Sequence, residues 1–245
     1  MGYEKQMRHF PFEKNYPSLS YIVNNWPRTK PILKKYILSK QKKPNFYRLC
    51  LNFLNDLNIK KLGNFKQVLK KLSKRCSFNF QYNTYHDQHH FKTVLIISCL
   101  LAKLVNLNRN ERILVVLIAL THDLNHQGRR VIKQPYYQED KSALEFHRII
   151  FKNILNHKKW KRINKVFRNT FFPIKPNNVN DNLEKIILDA DILASLMFGV
   201  DSGIEFATRL KHEIRFEDDA KKLFGGFLNI LSDKSLYLDS SKDSC

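Results

Sequence analysis

The chain lacks what a disulfide framework, a membrane span or a β-sheet would require. Its four cysteines, at positions 50, 76, 99 and 245, show no paired spacing and no Cys-x-x-Cys unit. That excludes a stapled secreted scaffold and points to reduced thiols in a cytoplasmic setting. Cys50 and Cys99 sit among apolar neighbours and read as core, and Cys245 forms no prenylation box. No apolar run reaches the roughly 18 residues of a membrane helix; the longest, Ile113 to Leu120, fits a buried helix. The polar N-terminus has no signal-peptide core. Gln6 stands where a myristoylation signal after Met1-Gly2 needs Ser or Thr. Apolar–polar alternation persists nowhere, so strands are not expected, and no repeat is evident. Base-stacking aromatic motifs of RNA-binding modules are missing too.

What the chain has in excess is positive charge: 43 Lys and Arg against 22 Asp and Glu, a formal net charge of +21. Such an excess favours anionic partners, whether a small phosphorylated substrate, a nucleic acid or an anionic membrane surface. The lysines are spread along the chain, so general surface composition explains the charge better than a nucleic-acid footprint. At 245 residues and 43% hydrophobic content, the chain is long and apolar enough for one sizeable core.

Prolines 11, 17, 27, 31 and 44 break residues 1–45, so residues 1–52 are expected as loops and short helices packed on the core. Helical periodicity then takes over, with stripes at Leu49, Phe53 and Leu57 and at Phe65, Val68, Leu69 and Leu72. His90 to Leu104 reads as a core helix. Asn108 with Glu111 is a helix-start pair for the segment running through Ile113–Leu120. Asp140 starts a further helix with Leu144, Glu145, His147, Phe151 and Leu155. Pro173 and Pro176 mark a loop, and Asp181 with Glu184 caps the helix that carries Asp189 and Asp191. The expectation is an all-α, compact multi-helix fold, with a catalytic domain over 53–231 and a flexible tail over 232–245.

Histidine is scarce, nine in all, yet five lie in two segments: Tyr85-His86-Asp87-Gln88-His89-His90 and His122-Asp123-Leu124-Asn125-His126-Gln127-Gly128. Imidazole with carboxylate suits a borderline or hard divalent cation. On a helix, His86 and His90 share a face, so one can bind metal while the other meets substrate; His89 is the alternative in a shifted register. His9, His157 and His212 read as ordinary surface or core residues. His122-Asp123 ends an apolar helix and is delivered from a buried element, where Asp123 can bridge to a second cation. His126, one turn on, suits a role beside the ligands or on the substrate side. Asp191 lies among apolar residues and needs a partner, which assigns it to the metal. Asp189, about 200° around the helix, is left to the helix surface or to a supporting position.

Tyr85-His86-x-x-x-His90, His122-Asp123-x-x-His126-x-Gly128 and Ala190-Asp191 come in the order of the HD superfamily of metal phosphohydrolases. Within it the chain most resembles the catalytic domain of class I 3′,5′-cyclic nucleotide phosphodiesterases, whose motifs run Tyr-His-Asn-x-x-His, His-Asp-x-x-His-Pro-Gly, Leu-Glu-x-His and Ala-Asp. Leu144-Glu145-Phe146-His147 is similar to the third of these, and the resemblance covers roughly residues 53–198. It implies an HD-type helical fold and two divalent ions, Zn²⁺ and Mg²⁺ or Mn²⁺, held by His90, His122, Asp123 and Asp191. Those ions activate a water for attack on phosphorus. It also implies His86 as general acid, His126 and Glu145 near the site, and a small anionic phosphoester substrate, a nucleotide by that likeness. The sequence departs at Asp87, in place of Asn, and at Gln127, in place of Pro. No glutamine follows Gln138, so the family's base-holding glutamine has no counterpart.

Overall fold

The computed structural model describes residues 18–38, 45–78, 83–128, 134–154, 157–171, 178–232 and 236–242. His9, Pro11, Pro17, Pro44, Leu155, Pro173, Pro176 and Cys245 lie outside them. Twelve helices and no strand occur among the described residues: α1 Leu19–Asn24, α2 Lys30–Leu38, α3 Phe46–Asp56, α4 Phe65–Phe78, α5 Gln88–Leu104, α6 Arg109–Ala119, α7 Tyr137–Ile154, α8 His157–Asn169, α9 Asn182–Leu196, α10 Val200–Ile214, α11 Ala220–Ser232 and α12 Asp239–Lys242. The all-helical expectation holds. No described helix is long and apolar enough to cross a membrane.

The axis is α5. Every residue from His90 to Ala102 is buried, as an all-round apolar helix requires, and it packs on α9, α6 and α1. Each fully buried Leu, Ile or Phe along it contributes roughly 1.5–3 kcal/mol. The one lysine inside, Lys92, is satisfied by the Tyr36 carbonyl at 3.1 Å and by the Tyr36 ring, which ties α2 to the axis. The N-terminal segment is held similarly: the Leu19 N–H donates to Asp56 Oδ2 at 2.7 Å. The division drawn at 52/53 falls inside α3. Cys50, Cys76 and Cys99 are buried free thiols, and burial raises all three above the ordinary thiol range.

Side-chain caps at Ser18, Asn45, Asp87, Asn108 and Asp181 start α1, α3, α5, α6 and α9. Asn108 and Glu111 form a complete capping box on α6. Asp181 caps α9, but Glu184 turns away to Lys165 and Asn169, so no box forms there. α7 begins at Tyr137 rather than Asp140, with Glu139 and Asp140 both in its first turn, where carboxylates complement the helix dipole.

At the C-terminal side, Asp189 holds returning chain against the core. The described part of the tail is packed: Leu238 and Ser241 are buried and α12 lies against α5. The cause is Asp189, which is fully buried rather than on a helix surface. Its carboxylate accepts from the Tyr237 and Leu238 N–H groups at 2.9 and 2.8 Å. The incoming chain therefore covers the side of α9 that helical geometry alone leaves to solvent.

Candidate metal centre

The start of α5, the turn after α6 and the body of α9 deliver the site. Asp87 N-caps α5, its Oδ1 accepting from the His89 and His90 N–H groups at 2.8 and 3.1 Å. His86 consequently precedes the helix, and the helical i, i+4 argument for pairing it with His90 is corrected: a turn, not a shared helix face, sets their ring centroids 5.5 Å apart. α6 ends at Ala119, and residues 121–125 turn, so adjacent His122 and Asp123 can aim at one point. Asp191 projects from the middle of α9.

His90, His122, Asp123 and Asp191 converge, their donor atoms all within 4.8 Å of one another. His90 Nε2 lies 3.2 Å from His122 Nε2, 3.1 Å from Asp123 Oδ2 and 3.4 Å from Asp191 Oδ1. His122 Nε2 is 3.0 Å from Asp123 Oδ2 and 3.7 Å from Asp191 Oδ1. Metal bonds of roughly 2.0–2.2 Å in a tetrahedron put donors roughly 3.3–3.6 Å apart, so these separations bracket the edges of one coordination shell. His122 is oriented for it: its Nδ1 lies 3.0 Å from the Ala119 carbonyl, and donating there leaves the Nε2 lone pair to the ion. The donor set, two imidazoles and two carboxylates, fits a borderline divalent cation.

Without an ion, the cluster stores its charge as protons. Burial works against a charged His90, yet hydrogen bonds to Asp123 and Asp191 prevail and raise it to about 9. Burial likewise works to raise Asp191, but hydrogen bonds with His122 and His90 hold it down to about 2.

Beside this cluster stands a second, of His86, His126 and Glu213. Glu213 Oε1 pairs with His86 Nδ1, while its Oε2 accepts from the Tyr85 and His86 N–H groups at 2.7 and 2.9 Å. Burial acts to raise Glu213, but the hydrogen bond and charge of His86 hold it down to about 2. His86 Nε2 then points toward Asp123, 3.8 Å from Oδ2. The residue types suit a metal, but the geometry does not. The His86 and His126 rings are stacked, 3.6 Å apart and 23° from parallel. An ion between them would lie far out of both ring planes, where imidazole nitrogen has no lone pair. This is a hydrogen-bonded group, not a coordination shell.

The structure thus brings His86, His90, His122, Asp123, His126 and Asp191 into one neighbourhood, and places His90 rather than His89 in the cluster. Glu145 is not brought in; it pairs with Arg75 at 3.1 Å across α4 and α7. Sequence reasoning missed Glu213, although it lies on the buried stripe of α10 with Ser202, Gly203, Phe206 and Ala207. The test that singled out Asp191 does not find it, because Lys211, His212 and Arg215 flank it; the helix face that it shares with Phe206 and Leu210 is the signal that could have. Glu139, at the start of α7, was missed as well; burial pushes it up to about 7 and the Asp123 charge adds to the rise. Tyr85 is half-buried, its hydroxyl 3.1 Å from Ser195 Oγ on α9.

Comparison with protein-family models and with curated proteins gives no match. Among solved structures the chain is similar to the phosphodiesterase domain of the RhoPDE fusion protein from the choanoflagellate Salpingoeca rosetta. The match has 15% identity over 89% of this chain and 83% of that one, with a TM-score of 0.55. The fold is therefore phosphodiesterase-like and all-helical. In it stands a candidate metal-binding cluster of His90, His122, Asp123 and Asp191.

Proposed function

We propose that this chain is a metal-dependent phosphohydrolase of the HD type that cleaves a phosphodiester, with a 3′,5′-cyclic nucleotide as the first candidate substrate. The observation that carries this reading is the four-donor cluster, spaced as one coordination shell, with a carboxylate-backed imidazole 3.8 Å from its Asp123. His90, His122, Asp123 and Asp191 would hold the ion, with Asp123 shared toward a second, Zn²⁺ in one position and Mg²⁺ or Mn²⁺ in the other. Divalent ions there supply charge neutralisation for the phosphate and a water acidic enough to attack phosphorus.

The chain's own contribution is proton delivery. As the bond between phosphorus and the leaving oxygen breaks, its electron pair stays on oxygen, and the His86 Nε2 proton passes to that atom. Glu213 keeps Nδ1 engaged and stabilises the imidazolium before transfer. Hydrolysis of another nucleotide or phosphate ester uses the same arrangement.

A second reading, binding of a polyanion such as a nucleic acid or an anionic membrane, is favoured by the face of α4 and the loop before it. Lys60, Lys61, Lys66, Lys70, Lys71 and Lys74 are all exposed, and no acidic residue occurs between Asp56 and Asp87. One experiment separates the readings: hydrolysis of cyclic and linear nucleotides and of bis(4-nitrophenyl) phosphate with Mn²⁺, Mg²⁺ and Zn²⁺. Turnover supports the hydrolase, and His86→Ala should lower kcat about 10²–10⁴-fold on cyclic nucleotides with metal content unchanged. No turnover with any ion, together with salt-sensitive polyanion binding, favours the second reading.

A further inference from the structure

His126 is not one of the four metal-cluster donors, yet its ring is held in place. Its Nδ1 accepts a hydrogen bond from the Gly128 N–H at 3.1 Å. A backbone N–H can only donate, so that nitrogen carries no proton and the ring is neutral, protonated at Nε2. The turn that makes this bond is built for it. Asn125 and Gly128 both have positive φ, 67° and 65°, a region where only Gly is free of strain. A Cβ at position 128 would stand 2.3 Å from Asn83 Oδ1. Asn83 in turn donates through Nδ2 to the carbonyls of His126, at 3.0 Å, and His86, at 3.4 Å. The segment carrying His86 is thereby clasped to the turn carrying His126, and the two rings lie face to face.

We propose that His126 is a positioning residue: its ring is the wall on which the His86 imidazole stacks, holding Nε2 toward Asp123 and the leaving oxygen. This rests on the proton-donor reading of His86. The hydrogen bond to Glu213 alone leaves freedom, since such bonds tolerate about 30° of misalignment before weakening. A swing of that size moves the distal nitrogen by a large fraction of an ångström, and a 1 Å misplacement at a reacting centre costs on the order of 10²-fold in rate. A flat wall removes the swing.

The test uses His126→Ala, which removes the wall, and His126→Phe, which keeps a flat ring without the acceptor. Two substrates are compared in the metal-loaded protein: 3′,5′-cyclic AMP, whose alkoxide leaving oxygen needs a proton, and bis(4-nitrophenyl) phosphate, whose leaving group does not. In His126→Ala, kcat on cyclic AMP should fall roughly 10- to 100-fold with KM little changed, while the nitrophenyl ester changes less than about threefold. His126→Phe should recover most of the loss, and metal content should match wild type in both. Equal loss on the two substrates, loss of metal, or no change on either overturns the proposal. Imidazole NMR gives a readout independent of turnover. In wild type, His126 should report the Nε2–H tautomer, and His86 ring protons should carry an upfield stacking shift that disappears in His126→Ala. Absence of that shift overturns the inference alone. A His86→Ala variant without selectivity for leaving group overturns the proton-donor reading beneath it.

Discussion

The two His–carboxylate groups differ in arrangement rather than in composition. In the first, His90 comes from α5 and His122 from the turn after α6, and their Nε2 atoms meet edge to edge at 3.2 Å, with two carboxylates closing the shell. In the second, His86 and His126 lie on neighbouring turns and meet face to face, with one carboxylate already engaged by two backbone N–H groups. Convergent lone pairs suit a cation; stacked rings and a satisfied glutamate suit a proton. The lesson is that donor count does not define a metal site, whereas the direction of the lone pairs does.

The largest expected effect breaks the first group. Asp123→Ala removes the oxygen that lies within 3.1 Å of both His90 and His122 and leaves two buried imidazoles facing each other. Metal content after dialysis and hydrolysis of bis(4-nitrophenyl) phosphate should both fall to background, because even a substrate that needs no proton donor still needs the ions. Activity retained on that ester would move the reacting centre away from Asp123. The His86→Ala variant should show the opposite pattern, metal kept and ester cleavage largely spared, and the two patterns together sharpen the division of labour.

Much of this was readable in the chain. Helix positions follow from apolar periodicity and caps, both local properties, so the Asn108–Glu111 box and the α5 core segment appear where the sequence puts them. His90, His122, Asp123 and Asp191 were legible because polar residues in apolar surroundings need partners. What could not be read depends on distant chain. Glu213 reaches His86 across 127 residues, and Asp189 is buried only because residues 237 and 238 return to it. Helical geometry also gave a correct neighbourhood for a wrong reason: Asp87 starts α5 after His86, so a turn brings His86 and His90 together. For Glu145, a motif position left open which way the helix is rotated; its carboxylate pairs with Arg75.

A middle-sized effect separates the groups by pH, in protein stripped of metal. His126 is depressed from 6.5 to about 3 and Glu213 from 4.5 to about 2. The unfolded chain therefore binds these protons first on acidification. Their contribution to stability is complete above about pH 6.5 and is lost as pH falls through 6.5 to 2. His90 has the opposite sign: raised from 6.5 to about 9, it contributes fully below 6.5 and loses that contribution as pH rises to 9. Denaturant unfolding across pH should show both limbs. Metal should flatten the alkaline limb, by replacing the proton on the first group, and leave the acid limb between about pH 6.5 and 4, above the range where Asp191, lowered from 3.8 to about 2, adds to it. His126→Phe should shrink the acid limb alone. An acid limb that also vanishes with metal would mean the second group binds the ion after all.

The smallest effect tests the residue that the sequence placed near the site and the structure does not. Glu145 pairs with Arg75, whose side chain is 49% exposed, and Arg148 approaches the same carboxylate at 3.8 Å from an even more exposed position. Exposed pairs of this kind contribute about 0–1 kcal/mol, since solvent screens them and both long side chains lose freedom. Both arginines remain solvated when the carboxylate is removed, so no buried charge is stranded. Glu145→Ala should therefore shift the denaturation midpoint only slightly, with kcat, KM and metal content at wild-type values. Glu213→Gln, by contrast, keeps an acceptor for the Tyr85 and His86 N–H groups but removes the charge behind His86. It should lose turnover on cyclic nucleotides while the fold and the bound ion persist. If Glu145→Ala cost as much turnover as Glu213→Gln, α7 would have to turn its Glu145 face toward the reacting centre, and the Arg75 pair would have to be given up.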